Sequence, residues 1–174
     1  QPRPGPEAHP TPQARAGAPA LQFSGIRPAL LLIAFALAYC DEAAALFGGP
    51  NCVSALDHAV RRAPAAREAG VPVIFTEVKY QPGGADGGAF YAKVPALSCF
   101  DAGTDTQKLA PGLSVEVNDI LVTKQYPSAF FGTSLEATLR WLNIDTLMLA
   151  GVTTPASGAV SADGLPEIRM EWRR

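Results

Sequence analysis

Apolar positions along the chain follow two periods, and the switches between them mark the elements. From Pro28 to Cys40 the text PALLLIAFALAYC is almost wholly apolar. It is shorter than the roughly 20 residues a membrane-spanning helix needs, so it predicts a buried strand near 29–34 leading into a loop. Residues 53–69 (VSALDHAVRRAPAAREA) carry helical spacing with Val53, Leu56 and Val60 on one side, and Gly70 supplies a stop. Pro64 is expected to kink or divide that helix, because a proline inside a helix removes a hydrogen bond and crowds the preceding turn. The β-branched run at 71–78 (VPVIFTEV) reads as a second buried strand. Strands three and four follow at 119–123 (DILVT) and 145–150 (DTLMLA). Between them lies a helix at 134–142 that opens on Ser134 as a cap. Crossovers of this length between strands predict a parallel sheet with helices on both faces, a three-layer α/β architecture of Rossmann-like type.

The segment QPGGADGG at 81–88 holds four glycines and a proline, a composition that favours neither helix nor ladder. It is expected to be a loop that folds over a pocket or meets a neighbouring subunit. Its glycines do not form the GxGxxG spacing between a strand and a helix, so no dinucleotide site is implied. Residues 1–24 are dense in Pro, Ala and Gly without the apolar run of a signal peptide, and read as a disordered arm ahead of one domain at 25–174.

The chain of 174 residues has a net charge of −2 and 48% hydrophobic residues. That is enough to bury one core, and it gives no electrostatic footprint for nucleic acid or an anionic membrane. Cys40, Cys52 and Cys99 are widely spaced and odd in number, which suits structural thiols in a reducing, cytoplasmic setting rather than a disulfide scaffold. The histidines, His9 and His58, form no paired ligand set, so no metal or other cofactor is expected.

In open α/β sheets ligands bind beyond the carboxyl ends of the strands. The stretches to inspect are therefore 34–41, 77–80, 124–126 and 151–157. There the chain resembles the isochorismatase-like cysteine hydrolases, most of all the branch around N-carbamoylsarcosine amidase. The text that carries the likeness is PALLLI, then GVPVIFTEVKYQPGGADGGAFYAKVPAL, then VTKQYPSAFFGTSLEATLRWLNIDTLMLAGVTT.

The resemblance implies hydrolysis of a small amide or N-carbamoyl C–N bond by an aspartate, a lysine and a cysteine, in a protein that assembles as a homo-oligomer. Lys124 falls at the lysine position. Ala34 stands where the family text LLVID has its aspartate, and Ser157 stands where GVTTSGCVRAS has its cysteine. Asp41 matches a loop aspartate of the family. The resemblance also implies an oxyanion loop around Val152, Thr153 and Ala156, with a cis peptide between Val152 and Thr153. Beyond it this C-terminal segment is shorter than the family pattern, which is expected to leave an edge of the sheet uncovered.

With two triad members replaced, two classes of function stand side by side. One is an impaired hydrolase, using Glu77 as a substitute base or Ser157 and Lys124 as a dyad. The other is an inactive member that keeps the fold for binding or assembly.

Overall fold

A computed structural model describes residues 27–152 and the backbone of 170–171. The N-terminal arm, Thr153, Ala156, Ser157 and the peptide bond between Val152 and Thr153 lie outside the described residues.

Four parallel strands form the sheet: β1 (Pro28–Ile33), β2 (Val73–Val78), β3 (Ile120–Lys124) and β4 (Thr146–Gly151). Their order across it is β3, β2, β1, β4. β1 therefore lies at the centre, and its residues Ala29–Leu32 are all buried. A strand buried on both faces must be apolar throughout, which is why its sequence does not alternate. A two-residue strand, β5 (Met170–Glu171), pairs antiparallel with the start of β4, Thr146 facing Glu171 and Leu147 facing Met170. The expected bare edge is thus partly covered.

Helix α2 (Pro50–Glu68) packs on one face of the sheet and helix α4 (Leu135–Trp141) on the other. A short helix, α1 (Leu37–Cys40), occupies what the sequence suggests is loop. α2 departs from expectation in two ways. It is one helix, undivided at Pro64, which lies on the exposed side of the helix. Its buried stripe is Cys52, Ala55, Ala59, Ala63 and Ala66, while Val53 faces solvent. Small side chains at these i, i+3, i+4 positions let the helix axis approach the sheet closely, and the bulkier stripe one position along is displaced to the flank.

The helix stops are chemically clear. Gly70 adopts φ 69°, its N–H meets the Arg67 carbonyl at 3.0 Å and the Val71 N–H meets Ala66 at 2.9 Å. This is the paired pattern of a left-handed C-terminal cap. Asn143 (φ 53°) repeats it after α4. At the start of α4, Ser134 makes no side-chain cap; the Thr133 hydroxyl accepts the Leu135 N–H instead, at 3.2 Å.

The glycine segment is partly ordered as helix. Pro82–Gly84 make a 3₁₀ turn, and helix α3 (Gly88–Lys93) begins on the last glycine. The turn is fastened by carboxylates, Asp86 accepting the Gln81 N–H at 2.8 Å and Asp101 accepting the Gly83 N–H at 3.0 Å. It closes on Tyr91, against whose ring a Cβ at Gly84 would collide at 2.1 Å.

Candidate active site

The parallel registers bring four strand ends to one edge. Ile33 of β1 lies beside Thr76 of β2 and Gly151 of β4, and Val78 of β2 lies beside Lys124 of β3. Since adjacent strands are about 4.8 Å apart, the backbones of β1 and β3 are separated by about 10 Å. Ala34, Glu77, Lys124 and Val152 therefore share this edge, but not one face of the sheet.

Lys124 is buried, 5% exposed, on the face that carries Val122 and α4. Its ammonium donates to the Pro127 carbonyl at 2.7 Å. No ion pair among the described residues includes it. Burial alone pushes its pKa below the usual lysine range, because desolvation disfavours the charged form. Arg67, by contrast, is held by Glu116 and Asp119 and by the Ser114 carbonyl, and its pKa is raised, first by the Asp119 hydrogen bond.

Glu77 is turned the other way. It pairs in register with Thr123, so its side chain shares the face opposite Lys124. Both carboxylate oxygens are engaged, one by the Thr123 hydroxyl at 2.7 Å and the other by the Gln107 amide at 2.9 Å. The substitute-base expectation thus meets a carboxylate that is hydrogen-bonded elsewhere and not directed at Lys124.

Ala34 follows directly on β1, buried, with φ 58°. Its N–H is shared between the Thr76 carbonyl at 3.3 Å and the Thr76 hydroxyl at 3.2 Å. The left-handed region costs an ordinary L-residue about 1–2 kcal/mol, and Asp and Asn are the side chains besides glycine that enter it most readily. On the far side, the Val152 N–H reaches the Ile33 carbonyl at 3.3 Å, and a Cβ on Gly151 would come within 3.1 Å of Ile33. Glycine there is what lets the two strand ends close up. Asp41, the matched loop aspartate, makes a local turn by accepting the Ala43 N–H at 2.9 Å.

The thiols are poor nucleophile candidates. Cys52 is buried, and burial pushes Cys40 and Cys99 up to about 11, the reverse of the lowered pKa an attacking thiolate needs. Among the described residues no three His, Cys, Asp or Glu side chains converge as a metal site, and no helix is long and apolar enough to cross a membrane.

Sequence reasoning missed Thr76 and Gln107. Thr76 sits in an apolar run with no motif around it, and Gln107 reaches Glu77 from 30 residues away, so neither leaves a local signal.

Comparison with known proteins agrees with this architecture. The chain is 33% identical over 150 residues to a maleamate amidohydrolase of Pseudomonas putida, covering 86% of this chain and 69% of that protein. It is 31% identical over 141 residues to an N-carbamoylsarcosine amidase of an Arthrobacter species, covering 78% of this chain and 52% of the relative. The chain thus spans about half of the second of these relatives and just over two thirds of the first. A cysteine hydrolase from Pseudomonas syringae superposes with a TM-score of 0.67 at 23% identity, over 73% of this chain and 60% of that one. An isochorismatase-family structure from Chromobacterium violaceum superposes with a TM-score of 0.59 at 29% identity, over 78% and 63%. The isochorismatase domain model matches residues 28–157, and on that match this chain belongs to the isochorismatase family.

Proposed function

We propose that the chain is an amidohydrolase-type member of the family, shaped for a small amide or N-carbamoyl compound, whose hydrolytic chemistry is impaired. The observation that supports this reading is the pairing of Ala34 with Lys124. A backbone bend that an aspartate would accept carries only a methyl group, and a buried lysine at the same sheet edge meets no carboxylate among the described residues. Loss of a general base is commonly worth about 10²–10⁴ in rate, and an unactivated serine at position 157 is a weak nucleophile. The relatives named for maleamate and N-carbamoylsarcosine indicate the class of substrate to try.

The test is ammonia release from a panel of small amides and N-carbamoyl amines. The expected result is little turnover by the unmodified protein, little by Ala34→Asp or Ser157→Cys alone, and a rate for the double variant above the sum of the two. Triad groups act as a unit and their effects are not additive. Ordinary turnover of about 1–10³ per second by the unmodified protein, abolished by Ser157→Ala, would replace this reading with a serine and lysine dyad, which the lowered pKa of Lys124 favours.

A further inference from the structure

The stretch that follows β2 is fastened firmly at its two ends and thinly between them. Tyr80, at its start, is buried and tied three times: its N–H meets the Phe100 carbonyl at 3.0 Å, its carbonyl takes the Ala102 N–H at 2.8 Å, and its hydroxyl donates to the Gln125 carbonyl at 3.0 Å. Leu97 and Phe100, past its far end, are buried in the same apolar cluster as Tyr80. From 81 to 93 no side chain is buried, Gly87 being the one buried position, and α3 buries nothing. Most hydrogen bonds of this segment are internal: the Gly84 N–H to Gln81 at 2.8 Å, the Gly87 N–H to Gly84 at 2.9 Å and the Tyr91 N–H to Gly87 at 3.2 Å. Beyond its chain neighbour Val94, the hydrogen bonds that join it to the rest of the described residues converge on one side chain. Asp101 accepts the Gly83 N–H at 3.0 Å and the Tyr91 hydroxyl at 2.9 Å. Asp101 is itself held in a turn, its carbonyl accepting both the N–H and the hydroxyl of Thr104 at 3.1 and 2.9 Å.

A segment with few buried apolar contacts and few bonds to its surroundings opens locally at far lower cost than the whole fold unfolds. We propose that residues 81–93 are a flap that opens as a unit between Tyr80 and Val94, with the Asp101 carboxylate as its latch. Both attachments end on this one carboxylate, and hydrogen bonds to a charged acceptor are the stronger kind, so its removal releases both at once. The remaining contact with the body is apolar, the Tyr91 ring lying edge-on against Tyr80 with centroids 4.8 Å apart. Closed, the flap stands against the loop that leaves β3. A Cβ on Gly88, where φ is 56°, would come within 3.1 Å of the Tyr126 hydroxyl, and Tyr126 is two residues beyond Lys124. Opening therefore uncovers the Tyr126 side of that strand end while the sheet stays folded. The motion needs no turnover, so its test is separate from that of hydrolysis.

The experiment is native-state hydrogen exchange of the full chain. In the unmodified protein the Gly84, Gly87 and Tyr91 amides are expected to be protected, yet to exchange about a hundredfold or more faster than the Leu30–Leu32 amides of β1, which wait for global unfolding. Asp101→Ala is expected to speed exchange across 81–93 by about tenfold to a hundredfold, and Tyr91→Phe, which removes one of the two bonds, by a smaller factor, with β1 unchanged in both. Gly88→Ala leaves Asp101 intact and sets a methyl group against Tyr126 at a left-handed backbone position. It is expected to speed the same amides several-fold, and it carries the test should Asp101→Ala not fold. Chymotryptic cleavage after Phe90 in the native protein should rise in the same order. The proposal is overturned if the segment exchanges no faster than β1, if its amides are unprotected before any substitution, or if Asp101→Ala leaves the segment unchanged or speeds β1 by an equal factor.

Discussion

Glu77 and Lys124 sit one register step apart at the end of neighbouring strands, on opposite faces, and their environments are opposite in kind. Glu77 has a donor for each oxygen, from Thr123 and Gln107. Lys124 is more deeply buried and, among the described residues, has one neutral acceptor and no counter-charge. A polar group whose partners are all in place is part of the scaffold, whereas a buried charge with donors to spare costs stability and persists where something else uses it. The difference separates a structural carboxylate from a site residue more sharply than sequence position does, since both residues end apolar strands.

The largest expected effect comes from removing the charge of Lys124, which has no counter-charge among the described residues. Lys124→Met should stabilise the protein by about 1–3 kcal/mol near neutral pH in urea unfolding, because an apolar side chain of similar length has no desolvation penalty. This gain should shrink with pH. The folded pKa of Lys124 is lowered, so the unfolded chain binds the extra proton between that value and the ordinary one of 10.5. Stability from this group is therefore least below the folded pKa and recovers as pH rises toward 10.5. Cys40 and Cys99, both pushed up to about 11, and Tyr80, pushed up to about 12, act in the opposite direction at alkaline pH, since their acids stay protonated longer in the folded state. The difference between wild type and Lys124→Met isolates the lysine from them. A gain that does not diminish with pH would show that Lys124 is not destabilised by its charge.

A smaller effect, of opposite sign, is expected at Glu77. Glu77→Gln keeps the size of the side chain but weakens its two hydrogen bonds, for a loss of about 1 kcal/mol in the same urea measurement. An unchanged stability in Glu77→Gln would show that the bonds from Thr123 and Gln107 add little and that the contrast is misplaced. The smallest effect is at Ala34. Ala34→Gly relieves the left-handed strain but adds chain entropy to the unfolded state, so a net gain of no more than about 1 kcal/mol is expected in the same measurement. A clear destabilisation would show that the methyl group's packing outweighs the strain.

Much of the fold was legible in the sequence. The four parallel strands fall within two residues of their expected bounds, because buried central strands are continuous apolar runs of distinctive length. Gly70 ends α2 as expected, since few residues other than glycine enter the left-handed cap cheaply. The buried face of α2 was not legible. Hydrophobicity favours the stripe of Val53, Leu56 and Val60, while close approach to the sheet selects the alanines beside it. Pro64 reads as a break but sits on an exposed position of an undivided helix. At the candidate site, sequence located Lys124 at a strand end and drew attention to Ala34, and it could not separate Glu77 from Lys124.

By itself, then, the amino-acid order determined the strands, the helix stop at Gly70 and the edge at which chemistry is to be sought, since these depend on local periodicity and on the conformational range of single residues. Only the tertiary structure decided which side chains share a face and which polar groups meet partners among the described residues. Those properties come from the registers of β2 with β3 and of β1 with β2. They also depend on long-range partners such as Gln107, whose position beside Glu77 is fixed by packing rather than by its neighbours in the chain.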